Sequence, residues 1–113
     1  MRVSQAAVLP PELASEAEKI GARMARLRVA RRVSQTEAAL RAGFSRNTAY
    51  RLEKGDPGLA LGQLLRYLDA IAPGKSLQRF LAEDDSAIAA LEERERRKRV
   101  RPMSKRELDD LNF

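Results

Sequence analysis

The side chains of this sequence that could do chemistry form a narrow set. His and Cys are both absent from its 113 residues, which excludes the common zinc sites, thiol nucleophiles, disulfides and every His-based catalytic triad. Carboxylates, Lys and Tyr remain, but no Gly-rich phosphate loop or metal motif accompanies them. An enzyme is therefore the least expected class, and neither a cofactor nor a metal is expected. Positive charge is what the chain holds in quantity, with 22 Lys and Arg against 16 Asp and Glu. It is unevenly spread: residues 1–58 carry 11 basic against 6 acidic side chains, residues 59–93 carry 3 against 6, and residues 94–113 carry 8 against 4. Two basic regions flank an acidic middle, a pattern that suggests a polyanionic partner. Basic side chains solvated on helices would give the same count.

The elements that must position these charges are helical. Leu, Ile, Val and Phe together number 26, Ala 18 and the aromatics only five. A Leu/Ala-lined helical core is expected, not a β-sandwich. No apolar run approaches the roughly 18–20 residues of a membrane span, and the N-terminus lacks the apolar stretch of a signal peptide; a cytoplasmic protein without a membrane partner is expected. Residues 1–11 read as a flexible arm ending in Pro10-Pro11. Leu13, Ala17, Ile20, Met24 and Leu27 then recur in steps of four and three, which predicts an amphipathic helix over about 12–31.

The stretch VSQTEAALRAGFSRNTAYRLEKG, Val33 to Gly55, is the most informative. Ser34 followed by Glu37 is a capping box, Gly43 supplies a left-handed exit, Ser45 is a new N-cap and Gly55 closes the second helix. Two helices of about eight residues on so short a turn must cross steeply. Ala38, Ala39, Ala42 and Ala49 keep the crossing small, with Leu52 and Phe44 filling the remaining space, which is the physics of a helix-turn-helix. Asp56-Pro57-Gly58 is a turn. Leu61, Leu64, Leu65, Leu68 and Ile71 form a stripe ended by Pro73-Gly74, Ser76 opens a segment with Leu77, Phe80 and Leu81, and Ser86 to about Arg99 is helical with Ile88 and Leu91. Ser104 and Glu107 suggest a last short helix.

With these pieces in place, the sequence resembles the Cro/Xre-like (λ-repressor-like) helix-turn-helix regulators. The resemblance is carried by RLRVARRVSQTEAALRAGFSRNTAYRLEKG and GLALGQLLRYLDAI, residues 26–55 and 58–71, with Gln35, Ala39, Gly43, Ser45, Leu52, Glu53 and Gly55 as linked features. Within that family the look is nearest to HipB-like antitoxins, through the run Glu53 to Gly58, the Leu-rich helix after it and the Arg-rich extension. It implies an all-α, λ-repressor-like helix-turn-helix bundle of about five helices with a C-terminal helical extension. The organisation expected is an arm (1–11), a DNA-binding domain (12–82), a C-terminal helix (83–101) and a tail (102–113).

By the family's pattern the recognition helix is about Ser45–Lys54, and its first turn meets base edges in the major groove. Arg46, Asn47 and Arg51 fall on its outward side, opposite Ala49 and Leu52; Arg suits guanine and Asn suits adenine. Gln35 stands at a helix start, where N–H groups and the dipole favour phosphate, and the family uses a Gln there to contact the backbone and brace the recognition helix. Ser34, Thr48, Tyr50 and Lys54 are further phosphate candidates, though Tyr50 packing on the first helix is an equal alternative. Arg31 and Arg32 could line the same path. The resemblance also pairs Arg28 with Glu53 as a structural salt bridge. In ERERRKRVR, residues 93–101, Glu92–Arg96, Glu93–Arg97 and Glu95–Arg99 are favourable i,i+4 pairs, so a solvated helix is read first and DNA or partner contact second.

Three or four base-reading side chains at about 1–3 kcal/mol each barely reach the roughly 4–10 kcal/mol of discrimination a useful operator needs. A twofold homodimer with half-sites about 34 Å apart is therefore expected, with Leu77, Phe80, Leu81, Ile88 and Leu91 as its interface unless they cap the monomer core. The function expected is a sequence-specific repressor on a palindromic double-stranded DNA operator, and the resemblance adds an antitoxin role beside a HipA-like kinase toxin. A free-standing regulator and a pure protein-interaction module are the alternatives; an RNA adaptor would need exposed aromatics that are scarce here.

Overall fold

The computed structural model describes residues 4–82 and 86–99, and these are helical with no strand. Among the described residues seven helices follow in order: α1 (Gln5–Val8), α2 (Pro11–Ala30), α3 (Gln35–Ala42), α4 (Arg46–Glu53), α5 (Leu61–Ile71), α6 (Leu77–Leu81) and α7 (Ser86–Lys98). Helices α2 to α6 form the expected five-helix bundle and α7 is the extension. Part of the segment expected as an arm forms the single turn α1, which buries none of its residues. Pro10 and Pro11 then open α2, where a missing N–H costs nothing and a fixed φ favours the first turn. The expected short helix at 104–111 lies outside the described residues.

Local signals set most boundaries. Ser34 Oγ accepts from Glu37 N–H at 3.1 Å, Ser45 Oγ from Thr48 N–H at 3.1 Å and Ser76 Oγ from Arg79 N–H at 3.2 Å. Each cap satisfies an N–H left over at a helix start. Glu37 Oε1 accepts from Arg41 Nε at 3.0 Å, so its carboxylate serves its own helix. Gly43 takes φ 83° at the exit of α3, which lets only three residues separate α3 from α4.

The core is a stack of small and large residues. Met24 and Leu27 of α2, Ala38, Ala39 and Ala42 of α3, Ala49 and Leu52 of α4, and Tyr67, Leu68 and Ile71 of α5 are all buried. The Phe44 ring, in the turn between α3 and α4, stacks on Tyr67 at 5.8 Å. The stripe expected on α5 is rotated: Leu68 and Ile71 are buried, but Leu61 and Leu65 are 64% and 45% exposed and Tyr67 goes inside instead.

The expected dimer surface requires correction. Phe80, Ile88 and Leu91 are buried within the single chain, and only Leu81 is clearly exposed, with Leu77 half-buried. These residues close the end of the monomer core: the Arg23 guanidinium lies 5.4 Å from the Phe80 ring and its Nε donates to the Phe80 carbonyl at 2.9 Å. A side chain already removed from water in the monomer gains no further burial from a partner.

Candidate nucleic-acid interface

Two features fix where α4 sits. The first is a close approach of backbones. A Cβ on Gly21 would stand 2.5 Å from the backbone N of Gly55 and 2.6 Å from the Leu52 carbonyl; one on Gly55 would stand 2.5 Å from the Ala17 carbonyl. Gly21 and Gly55 thus let α2 and the end of α4 touch, and Gly55 also holds φ 78°. Gly21 lies in the middle of a helix, where Gly is unfavourable by about 1 kcal/mol. That local cost was the one sequence signal that could have marked it.

The second feature is a buried polar cluster centred on Glu53, 9% exposed. Its carboxylate accepts from Arg28 Nε at 2.6 Å, Arg28 Nη2 at 3.2 Å, Gln35 Nε2 at 3.0 Å and the Tyr67 hydroxyl. Arg28, itself 5% exposed, also donates from Nη1 to the Val33 carbonyl at 2.9 Å. One ion pair therefore ties α2, the link into α3, α3, α4 and α5 together. Burial, and after it the hydrogen bond to Glu53, push the Tyr67 hydroxyl well above the ordinary tyrosine range, so it stays a donor.

Around this anchor α4 turns by about 100° per residue. Ala49, Leu52 and Glu53 face the core, and Arg46, Asn47, Tyr50, Arg51 and Lys54 are exposed on the other side. Arg46 and Asn47 stand in the first turn. Arg51 Nε donates to Asp56 Oδ2 at 2.8 Å; the Gly58 N–H and then Arg51 hold the Asp56 carboxyl below its usual range. Lys54 lies 5.4 Å from the Tyr50 ring, so Tyr50 lies along the exposed face with its ring against a cation. The hydroxyls of Ser45 and Thr48 are 3.0 Å apart, and that of Ser34 caps α3.

Gln35 stands where it can brace the recognition helix: its side chain is 8% exposed, its amide donates to Glu53 on α4 at 3.0 Å, and it lines the open cleft together with Arg46. The physical reason is that a buried carboxylate needs more donors than one Arg supplies.

An open cleft of about 550 Å³ runs between α2, α4 and α7, lined by Ala22, Ala25 and Val29 on one wall and by Arg46, Tyr50 and Lys54 on the other. Glu95 of α7 stands at its edge and accepts from Arg26 Nη1 at 2.9 Å. This hydrogen bond, ahead of opposing burial, lowers the carboxyl of Glu95 and raises the guanidinium of Arg26. Glu95 therefore pairs across helices, not with Arg99 as its spacing suggested. Among the described residues no helix is long and apolar enough to cross a membrane.

No curated protein and no solved structure matches the chain. A family model does: residues 19–74 match the helix-turn-helix domain, from the middle of α2 through the Pro73-Gly74 turn. That span holds both members of the Arg28–Glu53 pair, both glycines of the close approach and the whole exposed row of α4. Residues 19–74 are thus similar to a helix-turn-helix domain, and that likeness suggests a DNA-binding regulator.

Proposed function

We propose that the protein is a sequence-specific transcriptional repressor that enters the major groove of an operator with α4. One observation carries the reading: the side chains on the solvent face of α4, Arg46, Asn47, Tyr50, Arg51 and Lys54, are all types that bind bases or phosphates, while its opposite face is locked by the Glu53 cluster. Arg46 and Asn47 read base edges from the first turn, Arg51 from the second. Lys54, Tyr50 and the hydroxyls of Ser34 and Thr48 hold phosphates, which position the helix without reading sequence.

The repressor acts as a homodimer on a palindrome, because one α4 supplies too few base contacts for useful discrimination. We place the dimer surface at the exposed Leu61 and Leu65 of α5 and the adjoining apolar groove, lined by Ala17, Ile20, Leu59, Leu61 and Leu64. The same groove is lined by Gly55, Asp56 and Pro57 at the end of α4, so a twofold partner there brings the two reading helices side by side. Occupancy blocks the promoter sterically. The likeness to HipB-like antitoxins supports an autoregulatory role beside a kinase toxin, contacted through the segments 1–11 and 100–113.

Footprinting on DNA upstream of its own gene tests the reading. A protected palindrome with half-sites about one helical turn apart is expected, and Arg46→Ala should lose protection there. No protection at any concentration that coats random DNA would refute sequence-specific repression.

A further inference from the structure

We infer that α7 is a second DNA-binding element, whose C-terminal turn grips the phosphate backbone beside the groove that α4 enters. The inference rests on the assignment of α4 above and adds to it a partner surface outside the matched domain.

Three observations lead to it. The first is placement. Ile88 and Leu91 bury one face of α7, Glu95 fastens it to Arg26 of α2, and Glu95 lines the same cleft as Arg46, Tyr50 and Lys54. Only the width of that cleft separates α7 from the reading helix. The second is how the charges of α7 are spent. Glu95 is held by Arg26, and Glu93 is shared by Arg96 and by Arg97, at 3.6 Å from the latter. Arg94, Lys98 and Arg99 form no ion pair with a described carboxylate. Two of the three acidic residues that made this run look like a self-neutralised, solvated helix, Glu93 and Glu95, are thus occupied, and with Glu92 set against Arg94, Lys98 and Arg99 the last turns keep a net positive charge. Arg99 also lines a smaller cleft with Arg26, Glu92, Glu95 and Arg96, on the α2 side of α7.

The third is the match to the ligand. At about 1.5 Å per residue, residues 94 to 99 span about 7.5 Å. Two nucleotides along one strand rise about 6.8 Å. Long cations at this spacing can meet phosphates two nucleotides apart on a strand lying along the cleft. The groove placed at the dimer surface lies at the end of α4, whereas α7 lies beside its cleft-facing flank, so each protomer's α7 would reach duplex outside its own half-site.

The test is a salt series of fluorescence anisotropy on a 30-bp random-sequence duplex. It compares the full chain, the triple variant R94Q/K98Q/R99Q and a control, R41Q/R66Q/R79Q, which removes equal charge from α3, α5 and α6. The plot of log K against log salt should flatten by about 0.9 for each lost phosphate contact, hence by about 2–3 per protomer in the triple variant and not in the control. Shortening the duplex to 12 bp should weaken the parent but scarcely change the triple variant. A parental slope in the triple variant, alongside lost operator protection in Arg46→Ala, would overturn the role of α7 and leave α4 standing. Equal flattening in the control would reduce the effect to net charge and also overturn it. Failure of the parent to bind the duplex at low salt would overturn both.

Discussion

Replacing Glu53 by Gln keeps the shape of the buried cluster and removes its negative charge. Arg28, its side chain 6% exposed, then loses the carboxylate of Glu53. Breaking a buried pair on one side costs about 3–5 kcal/mol, against roughly 0–1 kcal/mol for a pair in solvent. The Gln35 amide and the Tyr67 hydroxyl lose a charged acceptor as well, and such bonds are worth about 1.5–3 kcal/mol each against about 1 for neutral ones; part of that loss is already counted in the pair. A total near 4 kcal/mol is a large share of the roughly 5–15 kcal/mol that holds an ordinary domain. At about 4–8 °C per kcal/mol, the melting midpoint should fall by about 15–30 °C. Thermal denaturation followed by circular dichroism reads this directly. The double variant R28M/E53L supplies the second half of the cycle: removing both charges should recover much of the loss, because the stranded guanidinium is gone. A Glu53→Gln midpoint within about 5 °C of the parent would refute the reasoning, since the pair would then behave as a solvated one.

Other consequences follow from the same geometry. Gly21→Ala places a methyl 2.5 Å from the Gly55 nitrogen, so α4 must shift; a loss of about 1–3 kcal/mol and weaker binding to every duplex are expected in denaturant titration and gel shift. Arg32 is left-handed at φ 57°, which costs an L-residue about 1–2 kcal/mol. Arg32→Gly should stabilise the fold by about 0.5–1 kcal/mol after the glycine's own entropy, and no gain in the urea midpoint would contradict this. The Arg26–Glu95 pair sets a pH dependence. The folded carboxyl of Glu95 lies below its unfolded value near 4.3, so the docking it supports is complete above that pH and fades as the pH falls through the folded value. Amide exchange along α7 should rise on acidification in the parent and be less pH-dependent in Arg26→Gln; equal profiles would count against the pair.

What the sequence makes legible here is local. Ser34, Ser45 and Ser76 cap within three residues, and Gly43 and Gly55 turn the chain where they stand, so the boundaries of α3, α4 and α6 could be read without knowing what lay nearby. The resemblance extended that reach to Arg28 and Glu53, whose separation of 25 residues no periodicity connects. Residues whose role depends on a distant neighbour stayed hidden. Gly21 is needed only because the end of α4 arrives against it. Tyr67 turns inward, where its hydroxyl donates to Glu53, and Leu61 and Leu65 face outward. Phe80, Ile88 and Leu91 announced their apolarity but not what would cover them, and the monomer's own core does so, with Arg23 of α2 lying against Phe80. Glu95 had a partner four residues away and another 69 residues back in the chain; the tertiary one is met.

Selection of bound duplexes from a random-sequence pool, run in parallel on the parent and on Arg46→Ala, puts the reading role of α4 to the most direct test. The parent should enrich a twofold-symmetric sequence, and the variant should enrich the same sequence with its preference erased at one symmetry-related pair of positions. Identical preferences from both proteins, or no enriched sequence from the parent, would contradict the assignment of α4 as the helix that reads DNA.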